Sequence, residues 1–162
     1  MSFLRFLRTL SLGLWLGSIL FFGAVVAPTA FGVLPTRNEA GMIVSGSLNG
    51  LHWLGIVCGL LFLLATAILS LKQGKGSPFA VRDVLLALML AMTLYTQYGV
   101  ERRMNSLKSE MGVIDQVAKD DPRRVEFNRL HKYSTAQEES VFVLGLVLLF
   151  LVVKADEDRA SR

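Results

Sequence analysis

The second of four apolar stretches decides the fold: LHWLGIVCGLLFLLATAILSL occupies residues 51–71 and is closed by Lys72. None of its 21 residues is Asp, Glu, Lys or Arg. A helix of about 20 mostly apolar residues is long enough to cross the hydrocarbon core of a bilayer. The stretch therefore predicts a transmembrane helix.

Three similar stretches lie on either side of it, at about residues 9–27, 79–98 and 136–153. Pro28 is expected to end the first, whose 19 uncharged residues exceed the apolar part of a cleaved signal peptide, about 7–15 residues. The fourth has an uninterrupted apolar part of only 13 residues, from Val141 to Val153. Residues 137–140 must therefore lie at the membrane edge or inside it.

The composition agrees with this interpretation. Hydrophobic residues make up 52% of the 162 residues, and the charged residues gather at the two ends and in two connections. We predict an all-α, integral membrane four-helix bundle that forms one transmembrane domain over residues 1–162. The expected partner of such a bundle is the lipid bilayer.

The connections indicate helices that continue beyond the apolar segments. Thr36 and Glu39 form a capping-box pattern, and Asp121 followed by Pro122 is typical of a helix start. Apolar residues recur at helical spacing after the third span, at Met104, Leu107, Met111 and Ile114. We expect helices two, three and four to extend past the outer membrane face, with a helical hairpin at about residues 99–135. The alternative is a disordered charged loop.

The distribution of basic residues predicts the orientation. Arg5 and Arg8 precede the first span, and the connection from Lys72 to Asp83 is basic, whereas the first connection holds only Arg37. The positive-inside rule then places both termini in the cytoplasm. The connection from 99 to 135 carries eight Lys or Arg residues and argues the other way.

Two small-xxx-small patterns indicate close helix packing: Gly13 with Gly17 in the first span, and Gly55 with Gly59 in the second. Packing within one bundle is the favoured interpretation. The alternative is an interface with a second copy or with another membrane protein.

No catalytic motif is present in the sequence. It contains no Gly-rich phosphate loop, nucleophile elbow, HExxH or CxxC, so we expect a protein that is not an enzyme. The net charge of +4 comes without a basic face bearing interleaved aromatic residues, so nucleic acid is not an expected partner. The single cysteine, Cys58, cannot form an internal disulfide.

Polar residues fall at matching depths on three helices. This candidate polar layer consists of His52, Gln97, Glu101, His131, Ser134 and Glu138. Gln97 and Glu101 share one helix face, as do His131, Ser134 and Glu138. Ionisable groups at membrane depth tend to face the bundle interior, so the sequence predicts that these side chains converge near the outer face. Interfacial solvation is the alternative.

The order of these elements resembles the transmembrane protein 205-like family, described as a domain of unknown function. The resemblance rests on Leu12-Gly13-Leu14-Trp15-Leu16-Gly17-Ser18, on the run from Phe22 to Pro28, on Ala40-Gly41, and on Leu130-His131 followed by Ser134. The residues Ala136-Gln137-Glu138-Glu139 are more acidic than the family pattern. The resemblance implies a four-span bundle without an established activity, and it offers no catalytic residues.

Three functions compete at this point. The first is a non-enzymatic scaffold, accessory or oligomeric membrane component without cofactor, metal or catalytic residues. The second is a transport or metal-handling protein that uses the candidate polar layer. The third is a haem-binding protein with His52 and His131 as ligands, because these are the only two histidines.

Overall fold

The computed structural model of the chain describes residues 2–73 and 81–160. Within these ranges every regular element is helical, which confirms the predicted all-α class. The elements are α1 (Ser2–Phe21), a π-helical turn (Phe22–Val26), α2 (Ala27–Val33), α3 (Arg37–Gln73), α4 (Val81–Tyr95), a second π-helical turn (Thr96–Val100), α5 (Glu101–Met111), a 3₁₀ turn (Ile114–Gln116) and α6 (Pro122–Ala160).

Four continuous helical stretches in the described ranges are long and apolar enough to cross a membrane. They run over Ser2–Val33, Arg37–Lys72, Val81–Met111 and Pro122–Asp158. The prediction of four spans is therefore confirmed, and each helix runs well past its apolar segment. The first two residues of the predicted third span, 79 and 80, lie outside the described residues.

The first helix does not end at Pro28, where the sequence predicts the end of the first span. The helix passes through Pro28 and continues to Val33, with a π-helical turn at Phe22–Val26 immediately before it. Proline removes one backbone donor and crowds the carbonyl four residues earlier. A π-helical turn widens the backbone at that point, and α2 then begins with the proline in its first turn.

Side chains cap two of the long helices as the sequence predicts. The Thr36 hydroxyl accepts a hydrogen bond from the Glu39 amide at 3.2 Å, where α3 begins. The Asp121 carboxylate accepts one from the Arg123 amide at 2.8 Å, where α6 begins. The Arg123 guanidinium also bonds this carboxylate, and the two contacts lower the pKa of Asp121 to about 2.

The expected extension of the third helix stops short of Ile114. Helix α5 ends at Met111, because Gly112 adopts a φ of 67°, a backbone conformation that glycine takes readily. Ile114 then lies in the 3₁₀ turn. The hairpin that the sequence predicts around Asp120 is thus built from α5, this short turn and α6.

The middle of the bundle is an apolar core shared by all four long helices. Fully buried members include Trp15 on α1, Phe62 on α3, Met89 on α4 and Leu148 on α6. Two polar regions border this core. The candidate polar layer lies on the side away from both termini, and Arg8 lies on the terminal side.

Arg8 is 2% exposed and forms the charged end of the core. Its guanidinium donates to Asp156 Oδ2 at 2.7 Å and lies 5.9 Å from the Phe62 ring centroid. Arg5 Nε lies 3.7 Å from the other Asp156 oxygen. This cluster fastens the beginning of α1 to the end of α6, and the sequence analysis did not foresee it.

The two glycine motifs have different positions in the bundle. A Cβ atom on Gly59 would lie 2.6 Å from Leu90 Cδ2, and one on Gly55 would collide with the Trp15 indole. Gly13 and Gly17 are exposed, with no neighbouring atom within 4 Å of such a Cβ. The expected packing within one bundle therefore holds for Gly55 and Gly59 but not for Gly13 and Gly17, since that face of α1 points outward.

Candidate functional site

The candidate site is built around His52, which has no exposed surface. It lies on α3, where the apolar segment begins. Its Nδ1 is 2.7 Å from Gln97 Oε1, and its Nε2 is 2.7 Å from Glu138 Oε1. The ring thus bridges α3 to the second π-helical turn and to α6.

The partners of His52 decide where the protons must be. Gln97 Nε2 donates to Asn49 Oδ1, which leaves Gln97 Oε1 facing the ring as an acceptor. An ionised Glu138 is an acceptor as well. With the Gln97 and Asn49 amides in this orientation, both short contacts are hydrogen bonds when His52 carries two protons, or when His52 carries one and Glu138 the other. The His52 ring is therefore the centre of a hydrogen-bonded network that joins Asn49, Gln97 and Glu138.

The second π-helical turn positions Gln97. The Met92 carbonyl, on α4 just before this turn, accepts a hydrogen bond from Thr96 Oγ1 at 3.2 Å and another from Gln137 Nε2. These bonds satisfy a backbone acceptor within the bundle and tie the turn to α6. Single π-helical turns are frequent at functional sites because they redirect side chains.

Glu101 is the second buried carboxylate of the layer, with 7% of its surface exposed. It is an electrostatic neighbour of His52, Lys108 and Glu138, and Ser134 is its hydrogen-bonding neighbour. Two carboxylates thus share this region with two groups that can be cationic. Burial of charge in a bundle is tolerable only with such compensation.

His131 is placed differently from the other predicted residues. It is exposed and stacks on Phe127, with the ring planes 4° apart and the centroids 6.4 Å apart. It makes no hydrogen bond to His52 or Glu138 in the described part of the chain. The structure thus joins His52, Gln97 and Glu138 directly, adds Glu101 and Ser134 as close neighbours, and leaves His131 at the border.

Two cavities flank the candidate polar layer. The larger, of about 240 Å³, opens between the start of α3, α5 and α6 and reaches His131. The smaller, of about 200 Å³, is polar and is lined by Asn49 and Gln97 among others. Glu101 lines both cavities. The buried network is therefore adjacent to space that water or a ligand can enter.

Asn49, Gln137 and Lys108 are members of the site that the sequence analysis missed. Asn49 precedes His52 by three residues, and Lys108 follows Glu101 by seven, so helical spacing places each on the face of a predicted residue. Gln137 directly precedes Glu138. Its bond to a backbone carbonyl of another helix depends on the π-helical turn, which has no signature in the sequence.

The structure does not bring His52 and His131 together as ligands of one site. In residues 2–73 and 81–160, no three His, Cys, Asp or Glu side chains are grouped so that they could hold a metal ion. Both ring nitrogens of His52 already have partners, and His131 faces elsewhere. A bis-histidine haem would require both rings to turn toward a shared space.

The fold and the site define a multi-pass helical membrane protein with a buried polar layer at the edge of its apolar core. The chain belongs to the family described as a domain of unknown function, DUF4149, whose model matches residues 10–112. That match contains His52, Gln97 and Glu101 and ends before α6, which supplies Glu138. No curated protein and no solved structure matches the chain.

Proposed function

We propose that this protein is a non-enzymatic membrane component, a small scaffold or accessory subunit, whose helices are held together by a proton-dependent clamp at His52. The observation that carries the proposal is the pair of 2.7 Å contacts that His52 makes to Gln97 and Glu138. With the Gln97 and Asn49 amides in the orientation described, losing one proton from this network would leave two acceptors facing each other, which is costly in a buried site.

The apolar core favours a proton-dependent change at the His52 end of the bundle over the passage of an ion through the bundle. Beyond His52 the interior is dominated by Trp15, Phe62, Met89 and Leu148, which offer few groups for a charged species. The cavities lie on the His52 side of this core. A proton-dependent change in helix packing needs no path across the membrane.

The resemblance to the transmembrane protein 205-like family implies a four-span bundle, which is the framework that such a clamp would hold together. We also propose that both termini are cytoplasmic. The basic residues at the terminal end of the bundle support this orientation.

The pH dependence of thermal stability tests the clamp. The purified protein in detergent should lose stability as the pH rises from about 5 to 8, the range in which histidine commonly loses its second proton. His52→Gln should lower the melting temperature and flatten this dependence. His131→Gln is the matched control and should not flatten this dependence. Equal slopes for the wild type and His52→Gln would contradict the proposal.

Accessibility labelling tests the orientation. In a Cys58→Ala background, a cysteine introduced by Gly76→Cys should react with a membrane-impermeant maleimide only after the cells are permeabilised. Labelling in intact cells would reverse the proposed orientation without bearing on the clamp.

A further inference from the structure

The larger cavity has the character of an amphiphile-binding site. Its walls are mostly apolar and come from five elements, with Phe31, Met42, Leu48, Met104 and Phe127 among the lining residues. Ligand pockets in proteins are usually apolar with a few oriented polar groups. A small hydrophilic anion would gain little from such walls.

The charges of the cavity leave one cation without a partner. Three basic side chains line it, Arg37, Lys108 and Arg124, together with two carboxylates, Glu101 and Asp115. These carboxylates are already compensated. Arg124 lies 3.8 Å from Asp115 and also donates to the Val117 carbonyl. Lys108 is an electrostatic neighbour of Glu101.

Arg37 is the remaining cation. It is exposed at the cavity, and within the described residues its guanidinium makes no hydrogen bond or ion pair. A guanidinium presents a planar set of donors that matches a carboxylate in two parallel hydrogen bonds. An apolar cavity with one uncompensated guanidinium is complementary to a molecule with one anionic head and an aliphatic chain.

We propose that this cavity binds a single-chain fatty acid, with its carboxylate at Arg37 and its chain along the apolar walls. The volume of about 240 Å³ suits the head and the first part of the chain. The rest of the chain has an apolar exit, because Phe31 and Met42 are half or more exposed on the outer surface of the bundle. A phospholipid would have to fit a second chain and a larger head into the same space.

Equilibrium binding of radiolabelled palmitate tests the site. The full chain is reconstituted in nanodiscs of phosphatidylcholine, and saturable binding is measured against empty nanodiscs. Arg37→Gln should weaken binding about tenfold, the effect of losing one charge-assisted interaction. Arg129→Gln removes another exposed arginine, which does not line this cavity, and this variant should bind as the wild type does. Met42→Gln should weaken binding by adding a polar group to the apolar wall.

Competition distinguishes the possible occupants. Unlabelled palmitate should displace the label, whereas hexadecanol, which lacks the charge, should compete about tenfold more weakly. Absence of saturable binding, or equal binding by the Arg37→Gln and wild-type proteins, would overturn the proposal. Displacement by a few per cent of phosphatidylglycerol in the nanodisc would also overturn it, because an anionic phospholipid would then be the occupant. Circular dichroism of each variant confirms that the helices are retained, which the exposed position of Arg37 leads us to expect.

Discussion

At the scale of single residues, His52 and Glu138 show how one contact can hold several helices. In lipid, apolar side chains gain nothing from leaving the solvent, so polar contacts and close packing decide how helices associate. The contact between His52 Nε2 and Glu138 Oε1 joins α3 to α6, and Gln97 attaches the third membrane helix through the same ring. Glu138 is 13% exposed, so this contact is largely shielded from solvent.

Glu138→Ala should therefore destabilise the protein. It leaves His52 buried without its acceptor, and breaking a buried charged pair typically costs about 3 kcal/mol. Glu139→Ala is the matched control, because Glu139 is the adjacent glutamate on the same helix and is exposed. Thermal or denaturant unfolding in detergent measures both variants. Equal stabilities of the two variants would show that the buried contact is not stabilising.

At the scale of the helices, the two glycine motifs show that a local sequence pattern does not determine helix packing. Gly55 and Gly59 let α3 approach Trp15 and Leu90 closely, whereas Gly13 and Gly17 lie on an outward face of α1. The motifs have the same spacing in the sequence. The rotation of each helix about its own axis decides which motif is buried, and that rotation is set by all the helices together.

Gly55→Ala should lower the stability of the bundle, because the added methyl group collides with the rigid Trp15 indole. Overpacking of this kind typically costs about 1–3 kcal/mol. Gly17→Ala adds the same methyl group where no atom lies within 4 Å, so it should leave stability unchanged or slightly higher. The comparison of the two unfolding curves is the measurement. A loss of stability in Gly17→Ala alone would indicate that the outer face of α1 is an interface.

The sequence predicts the helices well for a physical reason. Length, apolarity and capping are local properties, so the four spans and the starts at Thr36 and Asp121 can be derived from a few neighbouring residues. The π-helical turns cannot, because they depend on partners such as Gln137 on another helix. The predicted depth of His52 and Glu138 in the membrane agrees with their contact in the structure. The same argument placed His131 with them, but depth alone does not show that His131 stacks on Phe127.

At the scale of the whole molecule, two polar clusters lie on either side of an apolar core. The layer around His52 joins α3, the third membrane helix and α6. The cluster of Arg5, Arg8 and Asp156 joins the beginning of α1 to the end of α6. Paired charges are directional contacts, because a small displacement along the helix axis lengthens their hydrogen bonds. The two clusters therefore add directional contacts at both ends of the apolar core.

Asp156→Asn should weaken the end of the bundle where both termini lie. Arg8 is 2% exposed, so removing its partner leaves a buried cation without a counter-charge. A loss of about 3 kcal/mol is expected from breaking a buried pair. Glu157→Gln, at the neighbouring exposed position, should have little effect.

The double variant Arg8→Met with Asp156→Asn should recover much of the stability, because a buried pair can often be replaced by apolar groups of similar volume. Unfolding of the wild type, Arg8→Met, Asp156→Asn, Glu157→Gln and the double variant in one detergent measures these differences. If the double variant were as unstable as both single changes added together, the cluster would not act as a pair.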